Sequence, residues 1–324
     1  MTERDNRQRW DGRRGRYEVW YLTMSDPKGD SGYWIRYTLR APTAGPPERK
    51  IWFARFDRVD PSRTFGINAF AQGRLVEGPI FGVGDALLDS GAARGSLKGG
   101  GHEVTWDVRW PTGQPTLRLL PPALYRGSVA PTRPYSPNPD LRFAGSIEID
   151  GDTIDLDGFV GQQGHLEGTR HAERWAWAHC NAYGDQGYVF QALSAQARRG
   201  PFLTPFVTNA ALRVDGTWER LRGSLSKTWS LGIWRLKLAS RTLRVDGQVR
   251  APWDLMLRAR YLDPDDTPRW VHNTEVASSR LLVWERREDG WRELAELESD
   301  GTTQAEWGGK TPAPGVDVDH EEIA

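Results

Sequence analysis

The chain has 324 residues, enough to bury a substantial core in one large domain or in two of ordinary size. Its 43 Lys and Arg balance its 43 Asp and Glu, so no excess charge points to nucleic acid or an acidic membrane as a partner. A single cysteine excludes an internal disulfide and a cysteine-based zinc site, and no apolar run reaches the roughly 18 residues of a membrane span, so we expect a soluble, cytoplasmic protein.

Strand-like runs recur along the whole chain. The composition, with 16 Trp, 35 Gly and 21 Pro, is typical of aromatic strands joined by turns. This pattern predicts an antiparallel all-β barrel or sandwich rather than βαβ units. In chain order, the predicted strands lie at residues 17–24, 32–39, 50–59, 102–110, 174–183, 187–193, 212–221, 234–240, 252–261 and 279–287.

The two halves of the chain echo each other. Trp20 and Trp175 each lie twelve residues before a Gly-Tyr pair, and TWDVRW (105–110) returns as PWDLML (252–257). Such echoes indicate an internal duplication, and they predict two tandem antiparallel β-barrels. The predicted parts are a flexible N-terminus at 1–15, a first barrel at 16–120, a Pro-rich linker at 121–140, a second barrel at 141–300 and a flexible tail at 301–324.

The segment GHLEGTRHAERWAWAHCNAY (164–183) carries the densest group of reactive side chains. Alternation along a strand places Trp175, Trp177, His179 and Asn181 on one face, with small residues on the other. The large face would suit an extended apolar ligand. It could equally fill a barrel interior, with His179 and Asn181 hydrogen-bonded inside.

Metal binding and proton transfer are two further uses of this segment. His165-x-Glu167 and His171-x-Glu173 have the same-face spacing that zinc could use, but the glycines around the first pair interrupt the strand, so we expect no metal. Desolvation in a Trp-lined pocket would bring the pKa values of His165, Glu167 and His179 towards neutrality. A structural hydrogen bond at a strand end is the alternative for each.

The rest of the sequence contains few candidate catalytic or binding motifs. In VHNTEVA (271–277) alternation separates His272 from Glu275, so we expect a structural role for both. The chain carries neither a phosphate-binding loop nor a nucleophile elbow.

Three stretches resemble a superfamily of fused lipocalin-like barrels. They are YEVWYLTMSDPKGDSGYWIRYTL (17–39), GQQGHLEGTRHAERWAWAHCNAY (161–183) with GYVFQAL (187–193), and ARYLDPDDTPRWVHNTEVASSRLLVW (259–284). The superfamily includes carotenoid 1,2-hydratases (hydroxyneurosporene synthases), AttH-like proteins, tocopherol cyclases and some fungal Diels–Alderases. The resemblance spans most of residues 16–310 through short, diffuse motifs. It implies two calycin-like barrels and a lipophilic isoprenoid or polyketide substrate that is handled without a cofactor.

The resemblance also implies site residues. In the hydratases a His-x-Trp-Gly motif and a Tyr-x-Asp pair protonate a double bond and guide water. Here the first reads His165-Leu166-Glu167-Gly168 and the second Tyr188-Val189-Phe190, so the His and Tyr match, Trp has become Glu, and the acid is missing. The missing acid argues against carotenoid hydration itself, and Glu167 is a candidate replacement for the proton source.

The leading hypothesis is a cofactor-free enzyme that hydrates, cyclises or isomerises a hydrophobic small molecule. His165, Glu167 and Tyr188 are its predicted catalytic residues, and its predicted ligand-binding residues are Trp20, Trp175, Trp177, His179 and Asn181. A non-catalytic lipocalin-like carrier is the alternative, and a scaffold with filled barrels is a third possibility. A cavity that contacts His165 and Glu167 would favour catalysis, and purely apolar walls would favour a carrier.

Overall fold

Short runs rich in aromatic and β-branched residues, separated by glycine-containing turns, form strands over most of the chain. The computed structural model describes residues 2–127, 130–184 and 187–323. Among those residues, helix is limited to α1 (Thr2–Asn6) and to brief 3-10 turns at Pro61–Arg63, Pro122–Tyr125 and Trp253–Leu255. The all-β prediction is confirmed. No helix in the described ranges is long and apolar enough to cross a membrane.

The first half of the chain forms two facing sheets, called here the first unit. Its strands are β1 (Arg16–Ser25), β2 (Ser31–Ala41), β3 (Glu48–Asp57), β4 (Phe65–Phe70), β5 (Phe81–Val83), β6 (Ala86–Leu88), β7 (Ala92–Gly99), β8 (His102–Arg109), β9 (Thr132–Arg142), β10 (Ala144–Ile149), β11 (Asp152–Asp155) and β12 (Val160–Gly168). One sheet has the order β4-β3-β2-β1-β12-β9 and the other the order β11-β10-β8-β7-β6-β5. Apolar side chains from both sheets form one core, which Trp106 Nε1 crosses to donate to the Tyr37 hydroxyl at 2.9 Å.

The second half forms a closed barrel, called here the second unit. Its strands are β13 (Arg174–Cys180), β14 (Val189–Gln196), β15 (Arg198–Arg199), β16 (Phe202–Leu203), β17 (Val207–Val214), β18 (Thr217–Gly223), β19 (Trp229–Ser230), β20 (Ile233–Ala239), β21 (Leu243–Arg250), β22 (Leu257–Leu262), β23 (Pro268–Arg287) and β24 (Gly290–Gly309). The ring runs β18-β17-β14-β13-β24-β23-β21-β20 and closes where β20 pairs with β18. Large buried side chains, including Trp234 and Trp307, pack with small residues such as Ala176 inside it. The barrel interior is therefore a filled core.

The two units meet across an apolar interface. Trp34, Trp52 and Phe56 from the first unit pack in one buried cluster with Trp175 and Tyr261 from the second. Burial of each such aromatic side chain contributes roughly 1.5–3 kcal/mol. The units are therefore held together by core-like packing rather than by a linker alone.

Strand pairing moves the boundary between the units away from its predicted place. Part of the predicted linker at 121–140 belongs to β9, and β10, β11 and β12, predicted to open the second barrel, pair with strands of the first unit. β12 lies alongside β1 from Tyr17↔Gly168 to Ser25↔Val160, so removing it would leave β1 without one of its neighbours. The predicted boundary is wrong for this reason, and the second unit begins after Gly168.

The termini are also more ordered than their polar composition predicts. The carboxylate-bearing Asp5 is buried, and the backbone N–H groups of Arg9 and Trp10 donate to the Glu18 carboxylate at 2.7 and 2.9 Å. At the other end, β24 continues into the predicted tail, and β25 (His320–Ile323) pairs in parallel with β4. Hydrogen bonds to strands of the first unit therefore fix both ends.

The echoed segments occupy different positions in the two units. Trp20 packs in the core of the first unit, whereas Trp175 points out of the barrel towards the first unit. Trp106 lies on β8, but Trp253 lies in a 3-10 turn. Equal spacing in sequence therefore does not bring these tryptophans to equivalent sites.

Candidate active site between the two units

A cavity of about 300 Å³ lies between the two units, outside the closed barrel. Alternation on β13 accounts for its wall, because Trp175 and Trp177 point out of the barrel into the cavity while Ala176 and Ala178 point into the barrel core. Strand β14 adds Leu193 in the same way. The volume falls at the lower end of the range for small-molecule sites.

The opposite wall is the outer face of the first unit's larger sheet. Tyr21 and Trp34 line the cavity, whereas their strand neighbours Trp20 and Tyr33 face the core. A Cβ atom on Gly164 would lie 2.0 Å from the Tyr21 ring carbon Cζ. The missing side chain at position 164 therefore lets the Tyr21 ring lie over β12.

Trp20 and His165, both predicted site residues, lie on the far side of that sheet. Their rings stack with centroids 5.1 Å apart, and Trp20 Nε1 donates to the Asn6 carbonyl at 2.9 Å. His165 is fully buried, with Nδ1 2.6 Å from the Asp5 carbonyl and Nε2 2.9 Å from Glu18 Oε1. Trp20 and His165 are opposite each other on β1 and β12, and both face the core of the first unit. They bind the N-terminal segment there and do not line the cavity.

The other two predicted catalytic residues are also away from the cavity wall. Glu167 accepts hydrogen bonds from Arg133 Nη2 at 2.7 Å and from the Tyr135 hydroxyl at 3.1 Å. Burial, together with the Glu167 charge, raises the pKa of Tyr135 to about 12. Tyr188 packs in the barrel core, where burial raises the pKa of its hydroxyl. His165, Glu167 and Tyr188 therefore form no common site.

His179 and Asn181 join the units through hydrogen bonds. His179 is fully buried, with Nδ1 2.6 Å from Gln304 Oε1 and Nε2 2.7 Å from the Pro139 carbonyl, and burial lowers its pKa. Asn181 Nδ2 donates to Asp140 Oδ1 at 2.8 Å. Both side chains are used structurally, which is the alternative that the sequence left open.

His171 is the histidine that faces the cavity. Its Nδ1 lies 2.7 Å from Asp263 Oδ1, and its backbone N–H donates to the same oxygen at 2.8 Å. Its Nε2 is buried and has no hydrogen-bond partner in the described part of the chain. The ring stacks on Tyr17 and Trp175 at centroid distances of 4.4 and 5.9 Å. Arg269 Nε donates to Asp263 Oδ2 at 2.9 Å, which completes the support of the imidazole.

The charge of Asp263 is stabilised where it lies. Burial alone would raise its pKa, but the hydrogen bonds from His171 and Arg269 outweigh burial and hold the pKa below its ordinary value. A carboxylate on Nδ1 fixes the imidazole orientation and leaves Nε2 as the ring nitrogen without a partner in the described part of the chain.

Glu275 brings a buried carboxyl group to the same cavity. It is 2 % exposed, and its Oε2 has no hydrogen-bond partner among the described residues. Burial, with the charge of Glu306 adding to it, raises the pKa of Glu275 well above its ordinary value. Glu306 differs, since it accepts hydrogen bonds from Trp175 Nε1 at 2.6 Å and from the Tyr261 hydroxyl at 3.3 Å. Burial therefore favours the protonated form of the Glu275 carboxyl group.

Other polar groups complete the cavity. The Arg36 guanidinium carbon lies 3.7 Å from the centre of the Tyr261 ring, which places a positive charge in the cavity wall. Burial, followed by the charges of Glu306 and Glu275, raises the pKa of the Tyr21 hydroxyl. The buried Asn273 amide lines the cavity with both its polar atoms unpartnered in the described part of the chain.

The histidine–glutamate spacing considered for zinc does not form a metal site. His171 faces the cavity, whereas Glu173 accepts from Arg198 Nε at 3.0 Å and pairs with Lys310 at 2.7 Å. Within the described residues, no group of three or more His, Cys, Asp or Glu side chains is placed to hold a metal ion.

Sequence reasoning missed the residues that carry the site. His171 and Asp263 are far apart in sequence, and DPDDTP (263–268) reads as a turn. A signal for Glu275 was present in VHNTEVA, because alternation puts Asn273 and Glu275 on the same face of the strand as Val271. An unpaired carboxyl and amide at such positions indicate a functional site.

Comparisons with known proteins identify the architecture. A crystal structure assigned as an AttH from Nitrosomonas europaea superposes with a TM-score of 0.53 at 17% identity, covering 91% of this chain and 93% of that one. Kievitone hydratase from Nectria haematococca gives 0.52 at 11% identity, with 91% and 89% covered. CghA, solved with Sch210972, gives 0.54 at 10% identity, with 91% and 88% covered. The chain has the fold of these proteins.

Sequence comparison adds a relative but no function. Uncharacterized proteins of two Mycobacterium tuberculosis strains are each 29% identical over 318 residues, which is 95% of this chain and 91% of theirs. No family model matches the chain. The chain thus shares its all-β fold with these solved structures, and function has to be argued from the site.

Proposed function

We propose that this protein is an enzyme that hydrates, cyclises or isomerises an apolar small molecule by proton transfer in the cavity between the two units. The observation that carries this proposal is Glu275, a buried carboxyl group with a raised pKa and a free Oε2 in a Trp-walled cavity. A carboxylic acid that stays neutral near pH 7 can donate a proton to a substrate, and one such positioned acid contributes roughly 10²–10⁴-fold to the rate.

His171 supplies the matching proton acceptor. Once Glu275 has given its proton to a carbon–carbon double bond or a carbonyl oxygen, the substrate carries positive charge. In a hydration, Nε2 of His171 takes the proton of a water whose oxygen bonds to the substrate. In a cyclisation or isomerisation it takes a proton from substrate carbon. Asp263 stabilises the resulting imidazolium, and a proton then returns to Glu275 to complete the cycle. Atoms and charges balance with water and protons alone.

Three of the remaining wall groups, Trp175, Trp177 and Glu306, favour the cationic intermediate. The ring faces of Trp175 and Trp177 attract positive charge. Glu306 is oriented by its hydrogen bonds from Trp175 and Tyr261, so it needs no reorganisation as charge develops. The kievitone hydratase and CghA structures have the same fold and are consistent with this reaction class.

An experiment in heavy water tests the proposal without a known substrate. Purified protein is incubated with cell lipid extract in D₂O, and products are surveyed by untargeted mass spectrometry. We expect carbon-bound deuterium in at least one compound, and loss of that label in Glu275→Gln and in His171→Gln. The exposed-strand variant Glu148→Gln and the first-unit variant His102→Gln serve as matched controls and should retain labelling.

A carrier is the alternative that the apolar walls favour. It would retain a lipid from the same extract in native mass spectrometry while no compound acquires carbon-bound deuterium. That result, or labelling that persists in both site variants, would contradict the enzyme proposal.

A further inference from the structure

A second cavity of about 300 Å³ lies beside the first. Leu120 and Tyr135 line both cavities, so these two side chains form a shared wall. No Asp or Glu belongs to the described lining of the second cavity. We call it the arginine cavity, because four of its lining residues are Arg9, Arg118, Arg126 and Arg220.

Two of these arginines form an ion pair with a carboxylate, and, among the described residues, the other two do not. Arg9 Nη2 and Arg118 Nη2 bind the Asp5 carboxylate at 2.9 and 2.7 Å. Arg220 donates to the Arg118 backbone carbonyl. Within the described residues, neither Arg126 nor Arg220 forms an ion pair with a carboxylate. The arginine cavity therefore holds guanidinium groups that Asp5 does not neutralise.

Glu167 does not remove this excess. Its Oε1 is 4.0 Å from Arg9 Nη1, and its Oε2 is bound to Arg133 Nη2 at 2.7 Å. The positive charge of Arg133 therefore offsets the negative charge of Glu167. In a chain whose formal net charge is zero, this corner concentrates positive charge around a concave site.

We propose that the arginine cavity binds the anionic end, a phosphate, diphosphate or carboxylate, of the molecule whose apolar part occupies the cavity between the units. Guanidinium forks match the oxygens of such groups and bind them by paired hydrogen bonds. The shared wall of Leu120 and Tyr135 places that anion next to the apolar cavity. Anion binding stands on its own, whereas the position of the apolar part rests on the proposed function.

Calorimetric titration of the full chain tests anion binding first. Sodium pyrophosphate is titrated at low ionic strength into the wild type and into Arg126→Gln/Arg220→Gln. We expect binding to the wild type that weakens with added salt, and at least about tenfold weaker binding to the double variant. The control Arg94→Gln/Arg235→Gln removes the same charge from exposed strand positions and should bind as the wild type does. Equal affinities for wild type and Arg126→Gln/Arg220→Gln, or no binding to the wild type, would overturn the proposal.

Geranyl diphosphate and geraniol then identify the source of the anion. We expect geranyl diphosphate to bind more tightly than either pyrophosphate or geraniol, since only it fills both cavities. Equal affinity for geranyl diphosphate and pyrophosphate would show a site for free anions and overturn the link to the apolar cavity. The deuterium-labelling experiment with lipid extract is independent of these titrations. A negative titration result would therefore leave the proton-transfer proposal standing.

Discussion

His171 and Asp263 form a buried pair in which one carboxylate oxygen, Oδ1, receives both the ring nitrogen Nδ1 at 2.7 Å and the backbone N–H at 2.8 Å. Arg269, 1% exposed, holds the other oxygen at 2.9 Å. This arrangement ties the loop after β12 to the strand pair β22–β23 in the second unit. It gives the imidazole one orientation, which is what a proton acceptor needs.

Removing the Asp263 carboxylate should therefore cost much stability. We expect Asp263→Ala to lower the free energy of unfolding by about 3–5 kcal/mol, because Arg269 is left buried without its main partner. Urea denaturation measures this. Asp319→Ala, which breaks the exposed pair with Arg258, is the control and should change stability by less than about 1 kcal/mol.

The difference in unfolding free energy between wild type and Asp263→Ala should change with pH in a defined direction. The folded-state pKa of Asp263 is depressed, so its contribution is present above the unfolded value of 3.8 and is lost as pH falls through the folded pKa. The gap between wild type and Asp263→Ala should narrow below about pH 3.8. A gap that stays constant down to acid unfolding would contradict the ionised state of Asp263.

The contribution of Glu275 to stability should have the opposite pH dependence to that of Asp263. Its folded-state pKa is raised, so its contribution is fully present below the unfolded value of 4.5 and is lost as pH rises towards the folded pKa. Glu275→Gln keeps the shape without an ionisable proton, so it should gain stability relative to wild type between pH 4.5 and neutrality. Urea midpoints across this range check the prediction. Glu148→Gln is the control for the substitution itself at an exposed position, and a stability difference for Glu275→Gln that does not change with pH would contradict a neutral Glu275.

Gly32 lies in the contact between the two units, next to Glu275, and a substitution at this position tests how closely they pack. A Cβ atom on Gly32 would lie 2.5 Å from Glu275 Cβ and 2.9 Å from the Glu275 backbone oxygen. Because backbone cannot swing away, we expect Gly32→Ala to destabilise the protein by about 1–3 kcal/mol. Gly309→Ala, whose Cβ would meet its nearest neighbours only at 4.0 Å, is the control. Equal urea midpoints for the two variants would contradict this close packing.

His165→Ala should behave as a structural variant. It removes two buried hydrogen bonds and leaves Glu18, 1% exposed, without its imidazole partner, so a loss of about 3–5 kcal/mol is expected. Lipid retention in native mass spectrometry should persist at temperatures where the variant stays folded. Wild-type stability combined with lost retention would return His165 to the binding site.

The strands and the outward direction of Trp175 and Trp177 follow from sequence, because alternation along β13 is strict. The location of the cavity does not follow. Both faces of β13 are buried, one in the barrel and the other against the first unit, so periodicity cannot tell which face is interior. His165 was predicted from its match to the hydratase motif, and a motif match does not encode that its side chain stacks on Trp20 in the first unit. His171 and Asp263 meet through tertiary packing over 92 residues, which no local pattern encodes.

Infrared spectroscopy of the purified protein at neutral pH tests the central claim, that Glu275 enters the cavity as a neutral acid. A neutral Glu275 should give a carbonyl stretch of a protonated carboxylic acid that shifts in D₂O, is absent from Glu275→Gln and is unchanged in Glu148→Gln. A wild-type spectrum without that band, or a band that survives in Glu275→Gln, would contradict it.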